Sequence, residues 1–146
     1  MTLNEAQIQH NLLSGRLEAR FREAGLVYRL EDCLRSDEQA AINALKEEGR
    51  STAATLLEFD PRFHYFAMAL RNNGKGNGIV ASVHLLRLAR DYSLFRKRDD
   101  GEYVYLNSTE DHRPFGEWWE AQHALARWGG RFSDGNHYSF EWQGRR

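Results

Sequence analysis

Two histidines and two aspartates carry the chemistry this sequence could do. His84 and Asp91 stand in Ser82-Val-His84-Leu-Leu-Arg-Leu-Ala-Arg-Asp91. His137 closes the run Trp128-Gly-Gly-Arg-Phe-Ser-Asp134-Gly-Asn-His137-Tyr. Imidazole nitrogens and carboxylate oxygens bind zinc, which at catalytic sites takes three protein ligands and keeps a fourth position for water. A further carboxylate near that water can take its proton. Asp134, three residues before His137, is such a group. The set points to metal-dependent hydrolysis. Each half has a plain reading when taken alone. The His84–Asp91 spacing suits no single helix face, and Asp134-Gly-Asn-His137 also reads as an ordinary polar turn. The pair works if His84 sits just before a strand that carries Asp91.

Those residues need a frame. Residues 4–24 place Ile8, Leu12, Leu13, Leu17 and Phe21 near helical spacing, and Gly25 is a stop. Residues 26–33 read as a strand. Ser36-Asp-Glu-Gln39 resembles a helix start, continued to Lys46 and ended by Gly49. Residues 56–59 read as extended. Asp60-Pro61 opens a segment carrying Phe63, Phe66, Met68 and Leu70, and 72–78 is a Gly/Asn loop. Residues 88–95 and 103–106 read as paired strands around a polar turn at 96–101. Residues 114–127 read as a helix broken by Gly129-Gly130, and 138–142 as a last strand. The expectation is an α+β fold. It is a small single domain over residues 1–146, with a short antiparallel sheet flanked by helices and the zinc site at the sheet. Residues 1–25 supply an N-terminal helix and 82–140 the zinc-site region.

Bulk properties exclude several classes. A chain of 146 residues with 41% hydrophobic content fits one core and leaves no room for a separate binding domain. A net charge of -1 gives no sign of nucleic-acid binding. Cys33 is the only cysteine, so a metal site must use His, Asp or Glu. No apolar run suits a membrane helix, so no stable membrane insertion is expected. The N-terminus lacks the basic start and apolar run of a signal peptide. That leads us to expect synthesis in the cytoplasm without an export signal.

The combined pattern resembles the M15 family of zinc peptidases. These include phage endolysins that are L-alanyl-D-glutamate endopeptidases, and bacterial D-alanyl-D-alanine carboxypeptidases and dipeptidases. The family pattern is Ser-x-His-x6-Asp, then an acidic residue-x-x-His near the C-terminus. Here it falls on Ser82, His84, Asp91, Asp134 and His137. The segment Thr109-Glu-Asp-His-Arg-Pro-Phe-Gly-Glu-Trp-Trp is similar to the phage-type branch. The resemblance runs from about residue 82 to 140 and is thinner over 30–39.

The resemblance implies Zn²⁺ held by His84, Asp91 and His137, with Asp134 as general base where many relatives have Glu. Arg35 matches an arginine that holds substrate or stabilises developing negative charge. Ser82 matches a position lining the substrate cleft. Trp128 is expected in the core by residue type, and could also border that cleft beside Gly129 as a substrate-binding residue. Tyr138-Ser139 stands where relatives commonly have an aromatic-acidic pair. The implied activity is hydrolysis of the L-Ala–D-Glu bond of the peptidoglycan stem peptide. Such an enzyme would act at the cell wall or periplasm, reaching it through a membrane hole made by a holin-type partner. The alternatives are a D-alanyl-D-alanine carboxypeptidase or dipeptidase, and a non-catalytic zinc-binding wall or virion module. The remaining histidines have simpler expectations. His10 is expected to be solvated, His64 at a core edge, His112 at a helix start or behind the site, and His123 on a helix surface.

Overall fold

Thr2 opens the first helix with a reciprocal cap. Its hydroxyl accepts from the Glu5 N–H at 3.3 Å, and its own N–H donates to the Glu5 carboxylate at 2.6 Å. Such a cap contributes about 1 kcal/mol. The structure, a computed structural model, describes residues 1–31 and 83–145. In it, helix α1 spans Leu3–Glu23 and buries Ala6, His10, Leu13, Ser14, Leu17 and Phe21 as one face. Gly25, at φ +73°, turns the chain into β1, Leu26–Leu30. The helices expected within residues 36–49 and 60–70, the loop at 72–78, and His64 lie outside the described residues.

A short 3-10 turn, Val83–Leu86, leads into the long strand β2, Ala89–Lys97. Strand β3, Tyr103–Leu106, returns beside the far end of β2. Helix α2 then spans Thr109–Gln122, followed by β4, Ala126–Trp128, and β5, His137–Phe140. Among the described residues, five strands make one antiparallel sheet in the order β1-β2-β5-β4, with β3 also on β2. The fold is therefore a small α+β domain, as the hydrophobic patterning predicts.

The helix expected at 114–127 is displaced. Its start lies at Ser108, whose hydroxyl accepts from the Asp111 N–H while Asp111 accepts from the Ser108 N–H, both at 3.2 Å. Pro114 is inside the helix and does not begin it. The helix ends at His123, because residues 126–128 gain more as a strand against β5. The turn expected at 96–101 also starts later, since Arg96 and Lys97 stay paired with β3.

Both helices pack on the sheet face that presents Tyr92, Tyr138 and Phe140. Phe21 meets Tyr92, Phe115 and Tyr138 edge-on, and Trp119 meets Tyr138 edge-on. Trp128 lies flat under Gly116 of α2, where an added Cβ would fall 2.0 Å from its ring. Only glycine allows this approach. Among the described residues no helix is long and apolar enough to cross a membrane.

His10 departs from its expected solvated position. It is 1% exposed and meets Trp119 and Phe140 edge-on. Burial and the nearby Arg90 guanidinium push its pKa down to about 3, only weakly opposed by the Tyr138 backbone. The unfolded chain, with an ordinary histidine pKa near 6.5, therefore takes up this proton first as pH falls. The linked stability is whole above that value and is lost progressively toward the folded pKa. Denaturant titrations should show the unfolding free energy falling as pH drops from about 7 to 5, with a shallower slope in His10→Leu. An identical slope in the two proteins would remove His10 from this linkage.

Candidate metal centre

Strand pairing brings together residues far apart in sequence. Asp91 of β2 lies directly opposite His137 of β5. Opposed residues of an antiparallel pair share a face with their Cβ atoms about 5 Å apart. His137 Nδ1 sits 2.9 Å from Asp91 Oδ1. The third group arrives from the turn before β2. His84 accepts the Arg87 N–H on its carbonyl, and Arg87 takes a left-handed φ of +56° that folds the turn back over the strand. Gln7 of α1 donates to the Leu86 carbonyl at 2.8 Å and ties the turn to the helix. His84 Nε2 thereby lies 3.2 Å from His137 Nδ1 and 3.4 Å from Asp91 Oδ1.

Three ligand atoms 2.9–3.4 Å apart form a nearly equilateral triangle. Tetrahedral coordination at bonds of about 2.0–2.1 Å places ligand atoms roughly 3.3 Å apart. The buried His84–Asp91–His137 group can therefore hold a metal ion. Its donor set of two nitrogens and one oxygen suits a borderline divalent ion. Burial pushes the Asp91 carboxyl up, but hydrogen bonding with His137 and His84, and their charge, outweigh it. The carboxyl is held well below the usual carboxylate range, ready to serve as an anionic ligand.

The loop before His137 is built as tightly. Gly129–Phe132 forms a 3-10 turn closed by Ser133 in the left-handed region at φ +67°. The Asp134 N–H donates to the Gly129 carbonyl at 2.9 Å, and the Asp134 carbonyl accepts from the His137 N–H at 3.2 Å. A Cβ on Gly129 would meet the Asp134 carbonyl at 2.3 Å and His137 Cβ at 2.8 Å. The glycine thus lets Asp134 and His137 fold onto one point. Asp134 is exposed, and its carboxylate is not one of the three converging ligands.

Trp128 is 1% exposed, the core position expected of it and not the cleft border also considered. Its indole N–H donates to the Gly135 carbonyl at 2.7 Å, so it braces the Asp134 turn from within the core. Arg35 and Ser82 lie outside the described residues. His123 caps the end of α2 and stacks on Phe140 at 4.7 Å between ring centroids. His112 is buried on α2, with Nδ1 3.0 Å from the Tyr138 hydroxyl, next in sequence to His137. The sequence carried a signal for this placement: the Ser108-x-x-Asp111 cap puts His112 in the first turns of α2. Comparison of the chain with protein-family models, with curated proteins and with solved structures finds no match.

The geometry makes metal binding measurable. The purified chain, stripped by chelator and dialysed, should take up one divalent ion per chain. His84→Ala or His137→Ala should weaken that uptake by more than the roughly 10- to 100-fold that the loss of a group supporting a ligand costs. Full occupancy at equal affinity in both variants would refute the site.

Proposed function

We propose that the chain is a zinc-dependent peptidase of the M15 kind, cutting the L-Ala–D-Glu bond of peptidoglycan stem peptides. The observation that carries this reading is the convergence of His84, Asp91 and His137, with the Asp134 turn locked against His137. His84, Asp91 and His137, three residues of the pattern that resembles the family, support it by converging. Zinc suits the mixed nitrogen and oxygen donors, and when bound it would lower the pKa of water to about 7 and polarise a carbonyl.

The chain's own residues do the rest. Asp134 accepts the proton of the attacking water and returns it to the leaving amine. Its exposed position, anchored through backbone at both ends, suits a group that must meet solvent and substrate. Arg35 is permanently cationic and pairs with the charge that develops on the carbonyl oxygen or with a substrate carboxylate. The resemblance gives Ser82, two residues before His84 in sequence, a role in binding substrate. Trp128 contributes by holding the Asp134 turn. The enzyme acts at the cell wall or periplasm, and a holin-type partner would give it access from the host cytoplasm. The phage-like segment at 109–119, now seen as helix α2 beside this turn, favours the endopeptidase over a D-alanyl-D-alanine carboxypeptidase.

Digestion of purified sacculi with the zinc-loaded chain tests the reading. Mass spectrometry should find stem peptides with new N-terminal D-Glu, and chelation should abolish their release. Free D-Ala with otherwise intact stems would replace the endopeptidase by the carboxypeptidase. Zinc binding without any cleavage would leave a non-catalytic wall or virion module.

Asp134→Asn should keep its zinc and lose about 10²- to 10⁴-fold in turnover, because the amide cannot accept the proton. Near-parental turnover in that variant would take Asp134 out of the mechanism.

A further inference from the structure

Beside the metal centre the fold leaves a polar cavity of about 170 Å³ between α2, β3 and the Asp134 turn. Its wall includes Tyr105, Asn107, Thr109, His112, Asp134 and Asn136. That volume matches roughly five waters, enough for a planar polar group and its first carbon. The cavity is fixed on both sides. A Cβ on Gly135 would fall 2.6 Å from the Thr109 Cα, so the turn is pressed directly against the start of α2. On the other side, the Asn136 carbonyl accepts from the Tyr92 N–H at 3.0 Å and continues the β2·β5 pairing. Asp134 and Asn136 therefore belong both to this cavity and to the segment that delivers His137.

We propose that this cavity is the subsite for a carboxylate or carboxamide on the substrate residue beside the scissile bond, and that His112 is its specificity-determining residue. The inference rests on the peptidase reading above. Amides, hydroxyls, an imidazole and the Asp134 carboxylate line the space, so it suits a polar group over hydrocarbon, and a carboxamide, which can donate to Asp134, over a second carboxylate. His112 is 3% exposed, yet its ring reaches the cavity wall. Its Nδ1 is engaged by the Tyr138 hydroxyl at 3.0 Å. The Tyr138 hydroxyl thus occupies Nδ1 and leaves Nε2 as the ring nitrogen for a substrate group; in the tautomer that carries its proton on Nε2 the ring donates to a carbonyl-type oxygen. In the stem peptide, D-Glu is linked onward through its γ-carboxyl. The α-carboxylate, free or amidated, is left beside the scissile bond as the group to be read.

The test uses three synthetic stem-peptide analogues that carry a carboxylate, a carboxamide or a hydrogen at that carbon. The full zinc-loaded chain should cleave the hydrogen analogue at least about tenfold less efficiently in kcat/KM, mainly through KM. The better of the other two identifies which form of the group is read. His112→Phe should narrow the gap to about two- to threefold with zinc content unchanged. Asn107→Ala, at an exposed position of the same wall, should narrow it in the same direction and covers the case in which the buried substitution unfolds the chain. Equal cleavage of all three analogues by the parent overturns the subsite, as does an unchanged gap in folded variants. A second readout is independent of turnover. In ¹⁵N-histidine spectra the His112 side chain should shift on titration with N-acetyl-D-glutamate or N-acetyl-D-isoglutamine and stay still with the analogue that carries hydrogen in place of the α-group. No shift with either, or equal shifts with all three, overturns the subsite. A selective shift in a chain that cuts none of the peptides would leave the subsite standing and remove the peptidase reading.

Discussion

The register of β2 against β5 is the constraint on which everything else depends. Asp91 faces His137 across the pair, and Arg90 and Ala89 face Tyr138 and Ser139. Side chains alternate between the faces of a strand, so a slip of one residue would move every side chain to the opposite face. Asp91 would then point into the aromatic core, and Tyr92 would point at His84. The core resists this. Tyr92, Tyr138 and Phe140 are fully buried beneath α1 and α2, and each meets another ring edge-on. Burying such a ring stabilises by about 2–3 kcal/mol, so the hydrophobic face sets the register and the polar face inherits its geometry.

Helix α1 reinforces the same register with polar contacts. Glu18 accepts from Arg90 at 3.0 Å and from the Tyr92 hydroxyl at 2.9 Å. Its second oxygen accepts from the Tyr28 hydroxyl at 2.9 Å. One carboxylate thus grips both neighbours of Asp91 in β2, and β1 as well. Arg90 also donates to Asn11, about two turns before Glu18 on the helix. These groups are partly buried, where hydrogen bonds to a charged partner contribute more than on an open surface. The ligand strand is therefore held from α1 on one side and from β5 on the other.

The fold was largely legible in the sequence because its elements carry strong periodic signals. The α1 pattern of Leu13, Leu17 and Phe21, the β2 and β3 alternation, and the α+β class all follow from hydrophobic spacing. Boundaries failed where a local cap or a tertiary pairing outweighs propensity. Ser108 with Asp111 starts α2 earlier than Pro114 suggests, and three residues of β4 become a strand only because β5 lies beside them. The ligand triangle was legible as a set of residue types, but its closure is a property of the register. His10 shows the limit clearly. A histidine in a charged helix reads as solvated, and only the packing of Trp119 and Phe140 around it makes it a core residue. The place of His112 at the start of α2 was legible from the Ser108–Asp111 cap, but its partner Tyr138, reached across the domain, was not.

The charge balance at the ligand triangle carries one more consequence. Three atoms with lone pairs converge within 3.4 Å in a mostly buried place. A proton can satisfy one pair of them at a time, whereas a divalent cation satisfies all three together. The ligands come from the turn before β2, from β2 itself and from β5, so an ion there also fastens the last strand to the middle of the chain. Binding free energy gained by the folded state alone adds to its stability, which couples metal to fold. Yet the triangle is not sealed: Asp91 keeps 17% of its side-chain surface exposed. Structural zinc sites are closed by four protein ligands, whereas catalytic ones use three and leave an open side. Among the described residues the group offers three ligands and a solvent-facing edge, with the Asp134 turn and the polar cavity beside it. That combination is what the peptidase chemistry proposed above would need.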